Sequence, residues 1–104
     1  MREFIDITGV SGATYRFRLW PENAPHEPIG GSYLFVRAGD EVVEVLVIGV
    51  TNDLSRARST FPKAEKRGAT HVFTRLNVAR SLRDAEHQDI LAAHPAARAE
   101  ERWS

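Results

Sequence analysis

The sequence predicts one α/β domain of the α+β type over residues 1–104, a small, mostly antiparallel sheet with flanking helices. Three observations predict it. The first half of the chain holds short apolar runs bounded by Gly, Pro, Asn and Asp, the pattern of strands and turns. Near residue 53 the apolar spacing lengthens to three and four, the period of a helix face. A chain of 104 residues buries one core and does not split into two.

Residues 3–8 and 13–20 read as a hairpin around Gly9-Val10-Ser11-Gly12, with Tyr15, Phe17 and Leu19 alternating with Arg16 and Arg18. Pro21, Pro25 and Pro28, followed by Gly30-Gly31, then exclude regular structure and predict an irregular connection of about ten residues. Residues 32–37 and 42–50 form a second pair of strands around Ala38-Gly39-Asp40-Glu41. Val45-Leu46-Val47-Ile48 has no polar alternation, which predicts that the second strand of this pair is central. A helix starts near residue 53, capped by Asn52 or Asp53, with Leu54, Ala57 and Phe61 on one face. Pro62 ends it by about Thr60 and starts a further turn that Gly68 closes. Residues 70–76 form another strand, and Asn77 caps a helix that runs to about His94. Residues 96–104 extend that helix or fray. The expected order is ββ, ββ, α, β, α.

Composition narrows the function classes. With 14 basic and 14 acidic residues the formal net charge is zero, which argues against a general polyanion binder. The distribution is uneven. Arg56, Arg58, Lys63, Lys66, Arg67, Arg75, Arg80 and Arg83 fall between residues 55 and 83 against Glu65 alone, so they either form one nucleic-acid-binding face or are solvated and paired with acids from elsewhere. The absence of cysteine excludes disulfides, a thiolate nucleophile and Cys-ligated zinc, and suits a reducing, cytoplasmic location. No apolar run approaches the ~18 residues of a membrane span, and the N-terminus lacks an apolar targeting core, so no membrane partner is expected.

Few residues point to chemistry. Ala79, Leu82, Glu86, Ile90 and Ala93 share one helical stripe, which aims the Glu86 carboxylate at the core or its rim. A carboxylate there needs an arginine, a hydrogen-bond donor or a metal ion beside it. Gly30-Gly31 is no phosphate cradle, because no Lys-Ser/Thr follows and a strand comes next. His26, His71, His87 and His94 have no recognised metal-ligand spacing, and no nucleophile elbow is present.

Gly31-Ser32-Tyr33, a hairpin, Val47-Ile48-Gly49, Thr51 and Leu54 at a helix start, and Glu86 nine residues before Pro95 together resemble the GIY-YIG nuclease superfamily over about residues 30–95. The resemblance implies a nuclease-like core to which the hairpin of residues 3–20 is an addition. It implies that Tyr33 and Glu86 are site residues, with Glu86 the ligand of a catalytic Mg²⁺. Three positions depart from the family pattern: its second tyrosine, the candidate base, is Val47; its phosphate-steadying arginine falls on Ala57; and a later aromatic hydroxyl falls on Phe61. Arg56 and Arg58 flank Ala57 and are the candidate replacements, although they project ~100° to either side of it. Loss of the general base removes a factor of roughly 10²–10⁴ in rate, and loss of the charge-stabilising arginine a similar one. The resemblance therefore implies a pseudo-enzyme that binds DNA without efficient cleavage. Two alternatives remain: a Mg²⁺-dependent endonuclease with a rearranged site, and an interaction module, a homodimer or a subunit for another protein partner, built on the hairpin.

Overall fold

A computed structural model describes residues 2–102. Two adjacent strands, β1 (Phe4–Thr8) and β2 (Thr14–Trp20), form the expected hairpin, with Ile5 opposite Phe17 and Asp6 opposite Arg16. The segment between Trp20 and Gly31 is irregular, as its prolines require. A second hairpin joins β3 (Gly31–Ala38) to β4 (Val43–Thr51), with a register shift between Phe35 and Val36. Strand β5 (His71–Leu76) pairs with both β2 and β3. The N-terminal hairpin joins the sheet in this way, Trp20 lying opposite Val72.

Leu54–Thr60 is helical from the residue expected, capped by the Asp53 carboxylate, which accepts from the Ser55 N–H at 3.0 Å. The winding is 3-10, and a short α-helix, α1 (Phe61–Glu65), follows with Pro62 in its first turn. Gly68, at φ +102°, closes the next turn. Leu54, Ala57 and Phe61 are all buried, as their spacing predicts.

Three expectations need correction. The last helix, α2 (Arg80–Ala93), begins three residues beyond Asn77, and its N-cap is Ala79 with no side-chain bond. Instead, the Asn77 N–H donates to the Gly30 carbonyl at 3.0 Å and its own carbonyl accepts from Arg83, so this residue is spent on the β5–α2 connection. Second, the buried residues of α2 are Arg83, His87 and Ile90, while Leu82 is 59% exposed. The apolar stripe is turned because Arg83 finds acceptors inside that a leucine would leave unsatisfied. Third, residues 98–102 neither extend α2 nor fray: Arg98–Arg102 is strand β6, parallel to β4 with Gly49 opposite Glu100. The sheet order β1-β2-β5-β3-β4-β6 sets β4 between β3 and β6, an interior strand as its unbroken apolar run predicts, with β5 and β3 in the middle.

The sheet is packed on both faces. The 3-10 helix and α1 cover one, in a cluster with Trp20, Tyr33, Phe35, Val47 and Val72; α2 covers the other, where Ile90 packs with Ile5, Phe17, Leu34, Ile48 and Phe73. Alternation along a strand sends neighbours to opposite faces, which decides where each candidate side chain can act. Among the described residues, no helix is long and apolar enough to cross a membrane.

Candidate functional site

Tyr33 is fully buried in the face under the 3-10 helix. Its cross-strand partner on β4 is Gly49, and the tyrosine ring lies in the space a side chain there would fill: a Cβ on Gly49 would stand 2.1 Å from the ring. The ring thereby crosses β4 and reaches β6, where its hydroxyl donates to Glu100 Oε1 at 2.6 Å. Thr60 donates to the same oxygen at 2.9 Å. Burial, reinforced by the bond to Glu100, pushes the phenol well above its ordinary value, so Tyr33 stays protonated. Arg102, two residues along β6, donates to the carbonyls of Arg56 and Ala57 and to Ser59 Oγ at 2.7 Å, tying the strand to the end of the 3-10 helix.

Glu86 sits on the opposite face of the sheet. Its carboxylate takes a two-point contact from Arg75, Nε to Oε1 at 2.9 Å and Nη2 to Oε2 at 3.5 Å. The Arg75 guanidinium lies 5.5 Å from the Tyr15 ring centroid and donates to the Arg16 carbonyl at 3.3 Å, so the pair is set against the hairpin. Only 16% of the Glu86 side chain is exposed. Tyr33 and Glu86 are thus separated by the sheet and share no cleft. Where the resemblance implies a cation, Glu86 holds an arginine, and among the described residues no group of three His, Asp or Glu side chains is placed to hold a metal ion. This donor set does not fit a resident Mg²⁺.

The basic residues divide into two sets. Arg58 stacks 4.5 Å from the Trp20 ring and donates to the Trp20 carbonyl at 2.6 Å, Arg75 serves Glu86, and Arg83 is buried. Ala57 is wholly buried, Arg56 is exposed and Arg58 is spent on Trp20, so neither arginine takes the place of Ala57. Arg56, Lys63, Lys66, Arg67 and Arg80 are exposed. Lys63, Lys66 and Arg67 lie on the side of α1 away from buried Phe61 and Ala64.

Two further polar positions were not singled out by the sequence. Asp89 accepts from the Ser11 hydroxyl at 2.7 Å, the Tyr15 hydroxyl at 2.7 Å and the Ser11 N–H at 2.9 Å, which clamps the hairpin turn onto α2 and holds its carboxyl below the usual range. His87 is fully buried, neither ring nitrogen has a hydrogen-bond partner among the described residues, and the nearest carboxylate, Glu101 Oε1, is 4.0 Å from Nε2. Burial lowers its pKa below the ordinary 6.5, outweighing the opposing pull of Glu101 and Asp84. As pH falls through 6.5 the unfolded chain takes up this proton while the folded chain does not, so stability drops, by at most about 1.4 kcal/mol per pH unit, until the lowered folded value is passed. Urea unfolding at neutral and mildly acid pH should show that loss in the native chain and a smaller one in His87→Leu; equal losses in both would sink this expectation.

No family model, curated protein or solved structure matches the chain.

Proposed function

We propose that this domain is a GIY-YIG-like module that binds the nucleic-acid phosphate backbone without efficient cleavage. One observation carries the reading: Arg56, Lys63, Lys66 and Arg67 are exposed and have no ion-pair partner among the described residues, on the layer formed by the 3-10 helix and α1. Exposed cations without an ion-pair partner are what counterion release from DNA requires, whatever the net charge of the whole chain, and Glu65 is the one carboxylate within these two helices. The groups that would perform hydrolysis are engaged with other partners instead. Tyr33 is a buried donor to Glu100, Glu86 is matched to Arg75, and Val47 and Ala57 bring no reacting group.

The test is binding of labelled duplex and single-stranded DNA across a salt series, with Mg²⁺ or chelator present. Affinity should fall steeply with salt and be indifferent to chelator. In a Lys63→Ala/Lys66→Ala/Arg67→Ala variant the slope of log affinity on log salt should flatten by roughly 2 to 3 units, since each phosphate contact contributes about 0.9. Cutting that needs metal and disappears in Glu86→Gln would replace this reading with the rearranged endonuclease.

A second reading has its own observation. Leu76, Val78 and Leu82 are 50%, 74% and 59% exposed where β5 leads into α2, which favours a protein partner at that end. Sedimentation of the native chain against Leu82→Glu tests it; a self-associated native protein that the substitution renders monomeric supports a homodimer there, and a monomer in both removes that form of it.

A further inference from the structure

The N-terminal hairpin turns Ile5, Ile7 and Phe17 towards α2 and leaves Phe4, Asp6, Arg16 and Arg18 on the other face of the sheet. No residue of the 3-10 helix or α1 lines the groove on that part of the sheet. The proline-rich connection folds back only as far as Thr74, where His26 Nε2 lies 2.7 Å from the threonine hydroxyl, its Nδ1 being 3.0 Å from the Glu27 carbonyl. Between the hairpin and that connection runs a groove of about 580 Å³, with Phe4, Arg16 and Arg18 on one side, His26 on the other, and Thr74 and Leu76 between them.

Its chemistry is specific. Phe4 is 41% exposed, and the guanidinium carbons of Arg16 and Arg18 lie 5.3 and 6.0 Å from its ring centroid. Both arginines have carboxylate partners, Asp6 and Glu3, but all four side chains are roughly half exposed or more, and such pairs exchange readily for a better anion. An exposed ring flanked by guanidinia, facing an imidazole fixed through both nitrogens, presents flat π surfaces beside positive charge, the combination that holds an unpaired base and its phosphate. A purely acidic peptide would meet Glu3 and Glu27 at the rim and gain nothing from the rings. The volume is that of a small-molecule pocket, suited to a nucleotide or two and not to a duplex. At Trp20, Pro21 and Pro25 this groove adjoins a second one, lined by Arg58, Phe61 and Pro62 together with Glu22 and Glu65.

We infer that a single-stranded nucleic-acid segment lies in the hairpin groove, a base stacked on Phe4 and its phosphates on Arg16 and Arg18. This rests on the nucleic-acid reading and adds a strand preference to it. The experiment uses the full chain with fluorescent oligothymidylate of about ten nucleotides, the span of an ordinary single-strand site, and a duplex of the same length. Phe4→Ala should weaken single-strand binding about tenfold and leave duplex binding unchanged, because a base–aromatic stack contributes that much. Phe4→Tyr should retain the affinity and Arg18→Ala should lose it, which separates stacking from damage to the hairpin. Single-strand affinity that survives both Phe4→Ala and Arg18→Ala while the α1 triple variant abolishes it would overturn the groove and leave the α1 reading standing. No salt-sensitive binding of either oligonucleotide would overturn both.

Discussion

Gly49→Ala is expected to destabilise the domain by about 3 kcal/mol, the upper part of the range for overpacking a filled core. The added methyl would stand 2.1, 2.4 and 2.5 Å from three carbons of the Tyr33 ring, which is fully buried in the middle of the sheet. The ring has little room to yield, because its far end is held by the 2.6 Å bond to Glu100 and its side is packed against Phe35, with centroids 5.2 Å apart. Relief by swinging the ring would break the bond and strand the Glu100–Thr60 contact, so strain and lost hydrogen bonding add. Thermal unfolding should register a fall of about 15 °C, taking 4–8 °C per kcal/mol for a domain near this size. Tyr33→Phe keeps the ring and forfeits only the donor, so a fall of about 1 kcal/mol is expected for it. Replacing the ring by leucine should relieve much of the Gly49→Ala penalty, a non-additivity expected of residues in direct contact. A Gly49→Ala protein as stable as the native one would show that Tyr33 does not occupy the space over β4.

The same contact explains what was legible in the sequence. Gly31-Ser32-Tyr33 and Val47-Ile48-Gly49 were read as paired motifs from a family resemblance; in the structure Tyr33 and Gly49 are opposite one another, and the glycine is what lets the ring cross its strand. The partner at the far end of the ring was not legible. Glu100 lies in Arg98-Ala99-Glu100-Glu101-Arg102, a strand without one large apolar residue, and an edge strand held by its neighbour's backbone carries no periodic signal. The two hairpins, the Asp53 cap and the break at Pro62 were readable because each depends on local backbone chemistry that specific residue types satisfy.

Helix α2 was misread for the opposite reason. Its hydrophobic pattern nominates Leu82 for the inner face, yet tertiary partners decide the rotation: Arg83 and His87 are buried and Leu82 is exposed, while Glu86 lies at the rim against Arg75, as its place in the stripe predicts. Periodicity records which residues are apolar and is silent about acceptors waiting elsewhere in the chain. The candidate site dissolved on the same account. Tyr33 and Glu86 each carry a partner of their own, but alternation along the strands sends those partners to different faces. Of the eight basic residues first grouped by position, the fold turns Arg58, Arg75 and Arg83 to internal uses and leaves the α1 group facing water.

Arg83→Ala should cost about 3–5 kcal/mol, because it takes a buried guanidinium away from three acceptors and leaves a cavity. The side chain is 2% exposed, and its guanidinium donates through Nη1 to the Asn77 and Val78 carbonyls at 3.0 and 3.3 Å and through Nη2 to Asn52 Oδ1 at 2.7 Å. It occupies a slot left open by Gly30, on which a Cβ would stand 2.1 Å from Nη1. One guanidinium therefore links the end of the proline-rich connection, the end of β4 and the lead into α2. Truncation leaves those acceptors without this donor and opens a cavity as well. Arg83→Lys should fall between native and alanine, because an ammonium on a flexible stem keeps the charge and loses the planar fork. Gly30→Ala should destabilise the native protein by displacing the guanidinium, and should add little in the Arg83→Ala background, where nothing is left to displace. Denaturant unfolding of the four proteins in that cycle measures the coupling directly. Fully additive effects would mean that the arginine does not lie in the glycine's slot. Binding supplies an independent check: a residue wholly committed to the interior contributes no phosphate contact, so Arg83→Lys should leave the salt dependence of DNA binding unchanged while removal of Lys63, Lys66 and Arg67 flattens it.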